Sequence, residues 1–181
     1  MISSDSAEFT TPAGEKIFLK PLTQAELPGL EWDGQYIHFR KLYAQHFAST
    51  LSGTTRIWGA TDSTGKVIGQ VFILLYAKDK ELADGQHRAY LFSFRVREEW
   101  RNQGIGSFIM DFAEEYLGSR GFSWLRLNVA QNNLKAIALY KKRGYQIIGE
   151  EAGNWRYQDH NNVWQNVHEP AWQMIKALKA G

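Results

Sequence analysis

Cysteine is absent from the 181 residues. Its absence excludes disulfide bonds, thiolate metal sites and a cysteine nucleophile, and it fits a reducing compartment. Long apolar runs are also missing: the longest, VFILLYA, covers residues 71–77, whereas a membrane-spanning helix needs about 20 such residues. The first residues, MISSDSAEFT, lack a basic segment followed by an apolar one. We therefore expect no secretory signal, no membrane partner and a cytoplasmic protein.

Charge is low and nearly balanced. Lys and Arg number 21 and Asp and Glu 19, which leaves a net charge of +2. So weak a field does not favour a nucleic-acid partner. The length suits a single domain over residues 1–181, since we find no linker or repeat. The histidines show no metal-ligand spacing, so no metal site is predicted. They are His38, His46, His87, His160 and His168.

The second half of the chain alternates strand and helix patterns. A strand at residues 88–96, an amphipathic helix at 105–117 and a strand at 124–129 form a βαβ unit, whose two strands should be parallel. Hairpin patterns in the first half are antiparallel, and residues 33–50 predict a helix from their apolar spacing. We therefore predict an α/β (α+β) fold with a mixed, mostly antiparallel sheet and helices on both faces.

The stretch RNQGIG lies between the strand and the helix of this unit. The start of a helix presents free N–H groups and the positive end of its dipole, which together bind phosphate. Gly104 and Gly106 would let a pyrophosphate approach the backbone closely, and Arg101 adds charge.

Two familiar phosphate-binding motifs do not fit this stretch. A dinucleotide-binding turn needs a third glycine where Ile109 stands, and a nucleoside-triphosphate loop needs a lysine where Ser107 stands. A tight strand-to-helix turn with no ligand would explain two glycines equally well.

Two longer patterns point to a family. The first is R/Q-x-x-G-x-G/A after a strand, which Arg101, Gly104 and Gly106 match, with Val96 upstream as the family has it. The second is N-x-x-A-x-x-L-Y-x-x-x-G-F/Y, and all six positions match. These are Asn133, Ala136, Leu139, Tyr140, Gly144 and Tyr145. The segment between residues 94 and 145 thus resembles the GNAT superfamily of acyl-coenzyme A-dependent N-acetyltransferases.

The resemblance implies acetyl-coenzyme A (acetyl-CoA) as co-substrate. It also implies a GNAT-like sheet of about seven strands with a central parallel pair that splays apart. The pantetheine arm would pair with the first strand of that pair. The cofactor-binding residues would be Phe94, Arg95 and Val96 on the strand, Arg101, Asn102, Gln103, Gly104, Ile105 and Gly106 in the loop, and Asn133.

The implied reaction is transfer of an acetyl group to a primary amine by direct attack on the thioester. Tyr140 is the candidate acid for the leaving thiolate. Family members often carry a glutamate in or before the strand, but HRAYLFSFRV has no carboxylate, so we expect water, held by Ser93 or a backbone carbonyl, to take the ammonium proton. The alternative is a catalytically silent module that binds acyl-CoA.

The acceptor is a small-molecule or peptide amine that the sequence does not identify. In GNAT-like folds the region of Trp32, Asp33 and Tyr36 borders the acceptor site, although helix packing explains these residues equally well. Large aromatic residues such as Trp155 and Trp164 mostly serve cores, but a hairpin that carries two of them could instead cover the acceptor site or form a dimer contact. Monomer and homodimer therefore both stay open.

Overall fold

The computed structural model describes residues 5–179. Its strands are β1 (Ala7–Thr10), β2 (Lys16–Pro21), β3 (Thr55–Thr61), β4 (Val67–Leu74), β5 (Arg88–Val96), β6 (Trp124–Ala130), β7 (Gln146–Glu151), β8 (Asn154–Gln158), β9 (Trp164–His168) and β10 (Ala171–Ala177). Its α-helices are α1 (Arg40–Leu51), α2 (Ile105–Gly118) and α3 (Leu134–Lys142). Short 3-10 helices cover Gln24–Glu31, Ile37–Phe39 and Glu98–Trp100. None of the helices in this part of the chain is both long and apolar enough to cross a bilayer.

The main sheet has eight strands in the order β1-β2-β3-β4-β5-β6-β10-β7. The β5–β6 pair is parallel and the other pairs are antiparallel. This confirms the mixed, mostly antiparallel sheet with a central parallel pair, although the strand count was predicted as about seven. Strands β8 and β9 form a separate hairpin. The sequence patterns had not indicated β1, nor that β10 would lie between β6 and β7.

Helices cover both faces of this sheet. Successive residues of a strand point to opposite faces, and on β4 Val71 packs in the cluster that contains α2, whereas Phe72 packs with Tyr43 of α1. The apolar stripe of α2 is buried as its spacing predicts, with Ile109 and Ala113 fully enclosed. Each large side chain buried in this way contributes about 1.5–3 kcal/mol, which fixes α2, and therefore its N-terminus, against the sheet.

The helix predicted over residues 33–50 begins later than expected, at Arg40. Trp32, Asp33 and Gly34 have φ values of 48°, 59° and 99°, which belong to the left-handed region and cannot continue a right-handed helix. A 3-10 turn at Ile37–Phe39 then leads into α1. The prediction was wrong here because the apolar spacing continues through a segment whose backbone is not α-helical.

The loop before β5 is held by the carboxylate of Asp84. It accepts hydrogen bonds from the backbone N–H groups of Gln86, His87 and Arg88 at 2.9, 2.7 and 2.8 Å. Burial alone would raise the pKa of Asp84, but these three donors lower it from its ordinary 3.8 to about 2. The carboxylate thereby fixes the first residue of the strand that leads to the site.

Replacement of Asp84 by alanine should lower the free energy of unfolding by about 1–3 kcal/mol at pH 7, because three backbone donors lose their acceptor. The folded-state pKa is depressed, so the stabilisation is present above the ordinary pKa and is lost as pH falls from about 4 to about 2. Denaturant unfolding at several pH values measures this. The control is Asp79→Ala, which removes an acceptor of one N–H group. A difference from wild type that is as large at pH 2 as at pH 7 would contradict the account.

Candidate active site

The two parallel strands separate halfway along their length. Their pairing runs from Arg88 with Trp124 to Leu91 with Leu127 and then stops. Beyond that point, the edge of β5 that faces β6 has no strand partner within residues 5–179. The gap therefore leaves backbone groups on this edge of β5 free to pair with an extended ligand, except the Val96 carbonyl, which accepts from Arg101.

A bulge in β5 accompanies the separation. Ser93 has a φ of 50°, and the register of β5 with β4 shifts between Gln70 and Phe72. Gln70 is fully buried and its Nε2 donates to Ser93 Oγ at 2.9 Å, whereas its Oε1 has no partner in the described structure. A lone glutamine in an otherwise apolar strand is the sequence signal for this contact, which was not among the predicted site features.

The RNQGIG loop enters α2 as the sequence predicts, with Gly104 as the N-cap. Gly104 has a φ of 85° and Asn102 a φ of 61°, so the loop uses the left-handed region twice. The backbone N–H groups of five consecutive residues have no acceptor among the described residues. They belong to Gln103, Gly104, Ile105, Gly106 and Ser107. Free N–H groups at the positive end of a 14-residue helix are suited to an anion.

Arg101 fastens this loop to the end of β5. Its Nε donates to the carbonyl oxygen of Val96 at 2.9 Å, and its side chain is otherwise exposed. A Cβ built on Gly106 would lie 3.6 Å from Phe94 Cζ and 4.0 Å from Val96 Cγ2, so these two side chains face the start of α2. The structure thus brings together the predicted strand residues and the predicted loop residues.

The second signature folds around Tyr140 and Asn133. Asn133 Oδ1 accepts from the N–H of Ala136 at 3.2 Å, so Asn133 caps α3 as predicted. Tyr140 is 6% exposed and its ring packs edge-on against Tyr145 at 5.6 Å. Its hydroxyl makes no hydrogen bond to another group within residues 5–179. Burial, helped by the nearby Tyr90, raises the pKa of Tyr140 well above its usual range.

The three candidate acceptor residues have different contacts. Trp32 and Tyr36 pack edge-on at 5.2 Å, and Trp32 is 5% exposed with an Nε1 that lacks a partner in the described residues. Asp33 is exposed and turns to Arg97 and Lys66, at 2.8 and 3.6 Å. The Arg97 hydrogen bond, with its charge, lowers the pKa of Asp33. Asp33 is therefore held as the ion-pair partner of Arg97, whose guanidinium lies 5.3 Å from the centre of the Trp32 ring.

The side chain of Arg95 contacts the rings of Trp32 and Tyr36. The sequence did not indicate this contact. Its guanidinium lies 3.7 Å from the centre of the Tyr36 ring and 5.6 Å from that of Trp32, and its Nη2 donates to the Tyr43 hydroxyl. The Arg95 side chain thus points to the α1 face, opposite to Phe94 and Val96. The hairpin of β8 and β9 borders the same aromatic group through Phe39 and Tyr157, whose ring centres are 4.8 Å apart.

Metal ligands do not gather at this site. Among residues 5–179 no group of three or more histidine, cysteine or acidic side chains lies close enough together to hold an ion.

A comparison with models of protein families identifies the family of this chain. The model of the acetyltransferase (GNAT) family matches residues 20–145. The chain belongs to the GNAT family. The match includes both signatures and the Trp32–Tyr36 region, so the loop, the separated strands and α3 are parts of one GNAT fold.

Solved GNAT structures agree with the fold. The ribosomal-protein-S18-alanine N-acetyltransferase from Escherichia coli is 21% identical, with a TM-score of 0.66, over 91% of this chain and 96% of that chain. NAA60 from Arabidopsis thaliana, solved in complex with acetyl-CoA, is 18% identical, with a TM-score of 0.64, over 89% of this chain and 98% of that chain.

Among curated proteins, a thialysine N-epsilon-acetyltransferase from Bos taurus is 42% identical over 64 residues, 35% of this chain. The matched part spans 38% of that relative.

The two glycines of the loop should respond differently to alanine. Gly104→Ala should lower the free energy of unfolding by about 1–2 kcal/mol, because of the left-handed backbone. Its Cβ would also lie 3.0 Å from Phe9 Cζ. Gly106→Ala should be neutral or stabilise by up to about 1 kcal/mol, since Gly106 is inside α2 with room for a Cβ. Denaturant unfolding of both variants measures the difference, and equal destabilisation would refute this view of the loop.

Proposed function

We propose that the protein is an acetyl-CoA-dependent N-acetyltransferase that acts on a primary amine. The observation that carries this proposal is the row of five backbone N–H groups without acceptors, which opens beside the gap between β5 and β6. Its named relatives act on amines: the bovine protein on thialysine and the E. coli protein on the alanine of ribosomal protein S18. The family match supports the same class of reaction here.

The site residues fit acetyl-CoA as a co-substrate. The loop from Arg101 to Gly106 would take the pyrophosphate on its N–H groups, and the guanidinium nitrogens of Arg101 not bonded to Val96 would add charge. Phe94, Arg95 and Val96 would pair through their backbone with the pantetheine amides, in the manner of an added strand. Asn133 caps the helix that carries Tyr140 and would contact the cofactor from that side.

The chemistry needs few side chains once the reactants are placed. The amine nitrogen forms a bond to the thioester carbonyl carbon, a backbone N–H near Val96 polarises that carbonyl, and the C–S bond then breaks. The nitrogen loses one proton, and a water held by Ser93 Oγ, which already accepts from Gln70, would receive it. The sulfur leaves as a thiolate, toward which Tyr140 would donate its phenolic proton. No covalent bond to the protein is required.

Release of free thiol from acetyl-CoA in the presence of amines tests the proposal. A panel should include small amines, amino acids and peptides with a free N-terminus. At least one amine should give saturable, protein-dependent thiol release with an equal yield of the N-acetyl product. Saturable binding of acetyl-CoA with no release for any amine would instead indicate the silent acyl-CoA-binding module.

Replacement of Tyr140 by phenylalanine should lower kcat by about 10²- to 10⁴-fold, because the variant lacks the proton donor. The ring and its contact with Tyr145 remain, so acetyl-CoA affinity and thermal stability should be nearly kept. Because burial holds the pKa of Tyr140 well above its usual range, the group stays protonated during the assay. The wild-type rate should thus rise with pH through the pKa of the acceptor amine and then level off. Turnover at the wild-type rate would leave Tyr140 a packing residue.

A further inference from the structure

The side chain of Arg95 lies beside the gap and contacts aromatic rings. Arg95 projects from the separated part of β5 into a group of aromatic rings that we call the Arg95 cluster. The cluster comprises Arg95, Trp32, Tyr36, Phe39 and Tyr43. The guanidinium stacks on Tyr36 at 3.7 Å, and the other three ring centres lie 5.6–5.9 Å away. Stacking on rings leaves most of its N–H groups free for another acceptor.

No acidic side chain in residues 5–179 lies within ion-pair distance of Arg95. Its Nη2 donates to the Tyr43 hydroxyl, while its Nε is fully enclosed and has no partner among the described residues. Trp32 Nε1, in the same cluster, is also enclosed without a partner. Enclosed donors that lack acceptors are unfavourable by themselves, so they indicate a site suited to a ligand with acceptor atoms.

The acidic side chains near the cluster are already engaged. Glu31 accepts two hydrogen bonds from Arg40, at 2.6 and 2.8 Å, and Asp33 pairs with Arg97. Asp159, in the turn between β8 and β9, accepts from two backbone N–H groups and from Gln165 Nε2 at 2.8 Å. Their carboxylates are therefore paired or bound locally, which leaves Arg95 without an acidic partner in the described part of the chain.

His38 lies next to the cluster. Its ring lies 4.2 Å from that of Phe39 and 6.1 Å from that of Tyr36. Burial, and next the charge of Arg95, lower the pKa of His38 below its usual range. His38 is therefore held toward its neutral form. Two arginines contact the rings of the cluster: Arg95, and Arg97, whose guanidinium lies 5.3 Å from the centre of the Trp32 ring.

The position of the cluster relates it to the acceptor. Phe94 and Val96 face the start of α2, where the cofactor loop lies, whereas Arg95 between them faces α1. An amine that reaches the thioester from the α1 side would pass this guanidinium. We propose that the acceptor carries a carboxylate as well as its amine, as an amino acid does, and that Arg95 binds this carboxylate. This inference rests on the proposed function and narrows its substrate class.

Matched pairs of amines test the substrate class. Glycine is compared with methylamine, β-alanine with ethylamine, and lysine with cadaverine, since each pair differs by one carboxylate. In the thiol-release assay, at least one acid should exceed its partner in kcat/KM by about tenfold or more, the effect of one charge-assisted hydrogen bond. Acetylation of the amines with no advantage for any acid would overturn the inference and leave the proposed function standing.

Variants of Arg95 test whether this residue causes the preference for the acid. Arg95→Gln should reduce the preference for the acid at least tenfold, and Arg95→Lys, which keeps the charge but loses the planar fork, should lie between it and wild type. The control is Arg120→Gln, which removes an arginine of the same charge at the far end of α2, where it pairs with Asp5. This control should keep the full preference. A preference that survives in Arg95→Gln, with melting unchanged, would overturn the assignment.

A binding measurement tests whether Arg95 binds a carboxylate even if no amine is turned over. With coenzyme A present, N-acetylglycine and N-acetyllysine are titrated against their amide counterparts while tryptophan fluorescence is followed, because Trp32 lies in the cluster. At least one acid should bind wild type and lose affinity in Arg95→Gln, whereas its amide should bind weakly to both. Failure of both acids to bind wild type more tightly than their amides would overturn the inference.

Discussion

The separation of β5 from β6 after Leu91 and Leu127 is the constraint on which the site depends. Parallel strands in a sheet normally share their hydrogen bonds along their whole overlap. Here the bulge at Ser93 turns β5 away while both strands remain fixed to their outer neighbours, β4 and β10. The gap leaves part of β5 without a strand partner, and α2 and α3 follow β5 and β6 in the chain.

Polar groups without partners mark the two sides of this gap. On the α2 side they are backbone N–H groups at a helix start, which suit a phosphate whatever the side chains. On the α1 side they belong to side chains, namely Arg95 and Trp32, which suit a particular acceptor. In the proposed function, the cofactor site would use backbone donors and the acceptor site would use side-chain donors.

Local features of this fold could be predicted from the sequence, whereas features that depend on distant pairing could not. The α2 stripe, the Gly104 turn and the Asn133 cap each depend on residues within a few positions of one another. The bulge at Ser93 depends on the register with β4, and the place of β10 depends on strands far away in sequence. The Arg95 cluster could not be predicted because it depends both on the left-handed backbone at Trp32 and Asp33 and on the distant strand β5, which carries Arg95.

The central claim is that the free N–H groups at the start of α2 hold the pyrophosphate of acetyl-CoA. Calorimetric titration of acetyl-CoA into wild type and Gly106→Val tests it most directly. A valine side chain would project toward Phe94 and Val96, into the space between β5 and the start of α2 where the ligand is proposed to lie. Ala48→Val on the exposed face of α1 controls for a branched residue in a helix. The account predicts an affinity loss of about tenfold or more for Gly106→Val alone. Unchanged affinity in a folded Gly106→Val protein would contradict it.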